Sequence, residues 1–135
     1  MEKIAVVTGT SSGIGFETAL ALARDGYYTY ATMRNITKGD KLKELASKEN
    51  LKIDVLELDV DNGNSAKTAI KHILDQKQRI DVLVNNAGWV LWGCVEDVSV
   101  DEFKTQFETN FFSIIRLIQE VGPTMRNQGS GIIVN

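Results

Sequence analysis

Thr8-Gly9-Thr10-Ser11-Ser12-Gly13-Ile14-Gly15 follows the apolar run Ile4-Ala5-Val6-Val7 and sets three glycines where a buried strand must turn sharply into a helix. A strand-to-helix turn of this kind is where a nucleotide pyrophosphate binds, because the free N–H groups of the first helical turn face an anion. Each glycine has an expected part. Gly9 takes backbone angles closed to other residues, Gly13 removes a side chain that would hold a ligand away, and Gly15 lets the helix sit tightly on the sheet. The spacing, G-x-x-x-G-x-G, differs from the commoner dinucleotide pattern G-x-G-x-x-G. A Gly/Ser-rich turn that binds nothing is the plain alternative for this segment alone.

A second motif, Asn85-Asn86-Ala87-Gly88, follows the strand-like run Ile80-Asp81-Val82-Leu83-Val84. In a doubly wound sheet the first and fourth strands of such a chain lie side by side, and ligands bind in the crevice at their carboxyl ends. Both motifs end strands, so both face that crevice. Asn86, Ala87 and Gly88 supply small side chains against a ligand, and the paired amides supply donors and acceptors that tie the loops together. Taken together, the two motifs resemble those of the short-chain dehydrogenase/reductase family, and the resemblance runs through the whole chain.

Composition bounds the function classes. The 135 residues fit one domain, and 43% are hydrophobic, as in an ordinary globule. Net charge is −3 with no basic stripe, which argues against a nucleic-acid footprint. The single cysteine, Cys94, excludes an internal disulfide and suits a reducing compartment. Met1-Glu2-Lys3 leads straight into the first strand, leaving no room for a signal peptide, and no apolar run is long enough for a bilayer. A cytoplasmic protein without membrane or nucleic-acid partners is expected. His72 reads as a surface residue, and no second histidine exists for a metal site, so no metal is assigned.

Apolar runs alternate with helical patterns in the order that builds a parallel sheet covered on both faces. The expected elements are a strand at Lys3–Thr8, a helix at Ser12–Arg24 stopped by Asp25-Gly26, and a strand at Tyr27–Met33. A helix over Lys38–Glu49 with Leu42 and Leu45 inward and a strand over Lys52–Leu58 come next. Ala66, Ala69, Ile70, Ile73 and Leu74 recur at helical spacing. Ser99 and Glu102 form a capping box that opens a long helix through Phe103, Phe107, Phe111, Ile114, Ile115 and Ile118, with Pro123 near its end. Gly131–Asn135 reads as the fifth strand.

The family resemblance implies an α/β, Rossmann-like, doubly wound parallel sheet in three α/β/α layers, cut off after the fifth strand. In the family a catalytic serine follows that strand, and a Tyr-x-x-x-Lys helix comes after it. Neither lies within residues 1–135, and Tyr27, Tyr28 and Tyr30 lack a lysine four residues on. Residues 1–135 are therefore expected to be an incomplete NAD(P)-binding domain, inactive alone and exposing an aggregation-prone Ile132-Ile133-Val134 edge.

The resemblance also implies roles for particular residues. Thr8, Gly9, Ser11, Ser12, Gly13, Ile14 and Gly15 would cradle the pyrophosphate, and Asn86, Ala87 and Gly88 would wall the cofactor. Asp59, in Leu58-Asp59-Val60, matches the aspartate that accepts a hydrogen bond from the adenine amine, with Val60 offering its backbone. Asn110 matches the asparagine of the catalytic tetrad, which bends its helix and holds a water on the proton path. Arg34 stands at the end of strand two, where an acidic residue favours NAD and a guanidinium suits a 2′-phosphate. NADP is the favoured cofactor and NAD stays open, because Ser11 and Ser12 occupy positions where many NADP users carry a basic residue.

The implied reaction moves a hydride between NADP(H) or NAD(H) and a carbonyl or alcohol, and the full-length protein would be a homo-oligomer. Trp89, Trp92 and Cys94 would begin an apolar substrate wall or belong to the core or an interface. A nucleotide-binding regulatory or sensor protein on the same fold remains the alternative reading.

Overall fold

The computed structural model describes residues 1–135. In chain order it contains β1 (Ile4–Thr8), α1 (Gly13–Arg24), β2 (Tyr28–Met33), a tight 3-10 turn (Ile36–Gly39), α2 (Asp40–Glu49) and β3 (Ile53–Glu57). There follow α3 (Gly63–Lys77), β4 (Val82–Val84), α4 (Val100–Phe107), a wide π turn (Glu108–Phe112), α5 (Ser113–Gln128) and β5 (Ile132–Val134). The five strands form one sheet in the order β3-β2-β1-β4-β5. Every pairing is parallel, with Val6 opposite Tyr30 on one side and Leu83 on the other.

Alternation along β1 divides the core into two layers, because successive side chains point to opposite faces. Ile4 and Val6 pack with Tyr30 and Leu83 against Ala66, Ile70 and Ile73 of α3 and Leu117 and Val121 of α5. Val7 and Ala31 pack on the other face against Phe16, Ala19 and Leu20 of α1 and Leu42 of α2. The result is the three-layer, Rossmann-like α/β arrangement. Since β1 sends its crossover to one face and β4 is reached from the other, the strand order reverses between them.

Local chemistry sets the element ends. The Asn62 carboxamide oxygen accepts from the Asn64 and Ser65 N–H groups and starts α3. Ser99 and Glu102 cap α4 reciprocally, the capping box expected from the sequence. Gln128, at the end of α5, bonds both the N–H and the C=O of Ile80, satisfying a buried peptide just before β4.

Several expectations need revision. The helix expected over Lys38–Glu49 begins at Asp40, and Lys38 and Gly39 belong instead to the tight turn that runs into it. Asn35 begins the turn by accepting from the Thr37 N–H, and Gly39 brings it onto β3, where a Cβ would lie 2.8 Å from Val55. Leu42 and Leu45 both face the core as expected, Leu42 fully buried and Leu45 half-buried against the same cluster, and Ala46 is buried with them. Pro123 lies inside α5, which continues to Gln128.

The long aromatic helix differs most. Its buried face consists of Thr109, Ser113, Leu117, Val121 and Met125, while Phe107 and Phe111 are 55% and 51% exposed. The two stripes share a four-residue repeat and stand two residues, or roughly 200°, apart on the helix, so periodicity alone does not choose between them. The buried stripe tolerates its hydroxyls because Ser113 donates to the Thr109 carbonyl at 2.5 Å and Thr109 to the Thr105 carbonyl at 3.5 Å. Phe111 meets Phe107 and Phe112 edge-on at the surface. No helix is long and apolar enough to cross a membrane.

Asp81 ties the base of the central strands together. Its carboxylate accepts from the Ile4 N–H at 2.7 Å and from the Arg79 guanidinium, and the Arg79 hydrogen bond holds its pKa below the ordinary carboxylate range. The folded state thus favours the carboxylate. Its stabilisation is present above the ordinary pKa of 3.8 and is lost as pH falls through the lower, folded value. Asp81→Asn should cost about 1.5–3 kcal/mol at neutral pH, since the hydrogen bonds it weakens involve a charged group. Urea unfolding across a pH series should show the gap between the two proteins closing below about pH 4.

Candidate functional site

The carboxyl ends of β1 and β4 are joined by hydrogen bonds from two side chains. The Thr8 hydroxyl accepts from the Asn86 N–H at 3.0 Å and the Ala87 N–H at 2.9 Å, and donates to the Val84 carbonyl at 3.4 Å. In return, the Asn86 carboxamide nitrogen donates to the Thr8 carbonyl at 2.9 Å and the Gly9 carbonyl at 3.1 Å. This exchange requires glycine at two places. A Cβ on Gly9, whose φ is +68°, would lie 2.8 Å from the Ala87 Cα, and one on Gly15 would collide with the Asn86 amide and the Gly9 carbonyl. Gly15 thus makes room for the Asn86 amide at the seam.

Gly13 has a backbone reason of its own to be glycine. Its φ is +63°, nothing lies within 4 Å of its Cβ position, and it stands outside the main cleft. The glycine serves the left-handed backbone that starts α1. Ser12 precedes α1 without a side-chain cap, which leaves the first-turn N–H groups open.

A cleft of about 840 Å³ opens beyond the seam. Gly9, Ser11, Ser12 and Ile14 line its centre, and Met33, Arg34, Asn35 and Lys38 line the end beyond β2. Leu58, Val60 and Asp61 form the wall after β3, while Asn86, Ala87, Gly88, Trp89 and Thr109 close the β4 end. A space of this size suits a cofactor. Arg34 and Lys38 make no ion pair within the chain, so the β2 end carries two uncompensated cations. No group of three or more His, Cys, Asp or Glu side chains is placed to hold a metal.

The expected residues divide accordingly. Gly9, Ser11, Ser12, Ile14, Arg34, Val60, Asn86, Ala87 and Gly88 face the cleft, while Thr8, Gly13, Gly15, Asp59 and Asn110 do not line it. Thr8 and Gly15 act through the seam. The Asp59 carboxylate turns onto its own loop and accepts from the Asp61 N–H at 3.0 Å. Asn110 grips the peptide groups of Trp89, accepting from its N–H at 3.1 Å and donating to its C=O at 2.7 Å.

Other contributors were not marked by the motifs. Thr10 is buried and bonds the Thr32 carbonyl through both its N–H and its hydroxyl, each at 3.1 Å, which pins the glycine loop to β2. Arg116 of α5 donates to the Val60 carbonyl at 3.1 Å and pairs with Glu108, fixing the β3 wall against the π turn. Thr10 lies within the glycine motif but its bond to β2 is not encoded in the glycine spacing, and the partner of Arg116 lies far away in the sequence. Lys38 lies only four residues beyond Arg34, and the cationic spacing R-x-x-x-K is the one readable signal among them.

The family model described as short chain dehydrogenase matches residues 3–135. The chain belongs to the short-chain dehydrogenase family. It is 40% identical over 136 residues to the uncharacterized oxidoreductase YusZ of Bacillus subtilis (strain 168), covering 99% of this chain and 48% of that protein. A short-chain dehydrogenase from Streptomyces avermitilis superposes with a TM-score of 0.91 at 34% identity, over 99% of this chain and 48% of that one. An alcohol dehydrogenase from the archaeon Thermococcus sibiricus, complexed with 5-hydroxy-NADP, has a TM-score of 0.91 and 31% identity, over 99% and 57% of the two chains. The chain therefore spans about half the length of the family members it matches. Family membership supports the oxidoreductase class.

The seam predicts an order of mutational cost. Gly15→Ala should lose about 1–3 kcal/mol from overpacking, with a further loss from the displaced Asn86 amide. Gly13→Ala meets no atoms and should lose only the left-handed backbone cost of about 1–2 kcal/mol. Urea midpoints for the two variants check this, and the reverse order would show that the Asn86 contact is not what demands a glycine.

Proposed function

We propose that residues 1–135 form the cofactor-binding part of an NADP(H)- or NAD(H)-dependent oxidoreductase acting on a carbonyl or alcohol substrate, with NADP the preferred cofactor. The observation that carries the reading is the cleft's charge layout: unpaired Arg34 and Lys38 at the β2 end, and the open first turn of α1 at the centre. That layout suits a ligand with a terminal phosphate and a pyrophosphate. The NADP-type ligand of the Thermococcus sibiricus relative supports the same class.

The residues present fit a dinucleotide by their donors. The first-turn N–H groups from Gly13 onward would hold the pyrophosphate, Arg34 the 2′-phosphate, and Val60 and the turned-in Asp59 loop the adenine. Asn86, Ala87 and Gly88 would bound the nicotinamide half. The chemistry such a cofactor supplies when bound is hydride transfer at the nicotinamide ring. Asn110, through its grip on Trp89, would set the β4 loop against which that ring rests.

Around the β4 end, Asn86, Ala87, Gly88, Trp89 and Thr109 include no group that titrates near neutrality. The chain alone is therefore proposed to bind cofactor without turnover. The exposed Phe107, Phe111 and Phe112 support self-association in the full-length protein, and the exposed free thiol of Cys94 supports a reducing, cytoplasmic setting.

Calorimetric titration of the chain with NADP⁺ and NAD⁺ tests the reading. Arg34→Asp should lower the NADP⁺ over NAD⁺ affinity ratio about ten- to hundred-fold, the loss expected for a charge-assisted hydrogen bond worth roughly 1.5–3 kcal/mol. An unchanged ratio would remove Arg34 from the 2′-phosphate. In a dehydrogenase assay with ketones and alcohols, the chain should leave nicotinamide absorbance constant.

A further inference from the structure

Trp89 has every polar group held by one side of the helix after it. Its N–H donates to the Asn110 Oδ1 and its C=O accepts from Asn110 Nδ2 and, at 3.2 Å, from Gln106 Nε2. Its indole Nε1–H donates to the Thr109 hydroxyl at 3.1 Å. Gln106, Thr109 and Asn110 are spaced i, i+3 and i+4, so they share one helical face, and Thr109 and Asn110 belong to the π turn. Thr109 is 5% exposed, and its own proton goes to the Thr105 carbonyl, so its hydroxyl is oriented to receive the indole. The neighbouring Trp92, by contrast, is 87% exposed.

An indole whose donor is already used presents only its ring to whatever enters the cleft. Trp89 lines the cleft and keeps 38% of its surface open. We infer that Trp89 is a fixed aromatic wall for the nicotinamide half of the dinucleotide, and that Thr109 and Gln106 are positioning residues that act through it. The inference rests on the cofactor reading above, which assigns the phosphate-rich half to the Arg34 end and leaves the nicotinamide ring for the Trp89 end. Fixing the ring before binding spares the ligand the cost of ordering a large side chain.

Adenosine 2′,5′-bisphosphate, which carries the 2′-phosphate half and no nicotinamide, separates the two ends of the cleft. Against the full 135-residue chain, Thr109→Val should weaken NADP⁺ about three- to tenfold, the effect of one lost hydrogen bond, and leave the bisphosphate unchanged. Thr109→Ser, which keeps the hydroxyl, should restore NADP⁺ binding. Trp89→Phe, which keeps a ring without the donor, should lose a similar factor, and the double variant should lose no more than either alone. Should Thr109→Val fail to fold, Trp89→Phe at its accessible position decides the matter by the same pair of ligands. Equal weakening of both ligands, or no weakening of either, overturns the positioning role while the cofactor reading stands. A parent chain that binds neither ligand overturns both.

Discussion

The Thr8 hydroxyl accepts two backbone N–H groups from the loop after β4, and the Asn86 amide returns two hydrogen bonds to the loop after β1. At a reversal of strand order the two chain segments leave the sheet toward opposite layers, so no ladder continues between them and their last peptide groups need other partners. Side chains supply those partners here. The cleft follows from this, because the loops are tied at their base and diverge above it. Gly9 and Gly15 belong to the same constraint, each removing a Cβ that would force the tie apart.

The cleft works with partial charges at its centre and full charges at one end. Over the glycine loop the donors are backbone N–H groups, held in place by Thr10 on the Thr32 carbonyl. At the β2 end the Asn35 turn lifts Lys38 to the same rim as Arg34. The chain is acidic overall, with a net charge of −3, so this local positive end opposes the sign of the whole. An anionic ligand is therefore oriented by the site and not by the global field.

Much of this was legible from residue types. Three glycines after Ile4–Val7 and two asparagines after Val82–Val84 led to the β1/β4 crevice, since few other residues tolerate such turns. The sheet, its parallel sense and both helical layers followed from alternating patterns. What stayed hidden depended on contacts between distant segments. Spacing reports that a glycine is needed at position 13 and not every reason why, and its +63° φ is a backbone reason that spacing does not encode. The phenylalanines of α4 and the π turn drew the helical pattern in the sequence because hydrophobicity outranks threonine and serine. Thr109 and Ser113 reverse that ranking by bonding their own helix backbone. The Asp59 carboxylate was read by position, and its turn toward Asp61 depends on loop geometry that spacing does not encode.

The seam between β1 and β4 joins residues 78 apart in the chain, whereas β1, β2 and β3 pair through nearer crossovers. Loop-closure entropy delays the distant pairing relative to the local ones. One half of the sheet can assemble while the cleft does not yet exist, because its two walls are still on unjoined parts of the chain. Any ligand held across the seam adds its binding energy only to the joined state and draws the chain toward it by mass action. Occupancy of the cleft thereby reports that the sheet has closed, and ligand supply becomes a determinant of how much of the polypeptide stands folded.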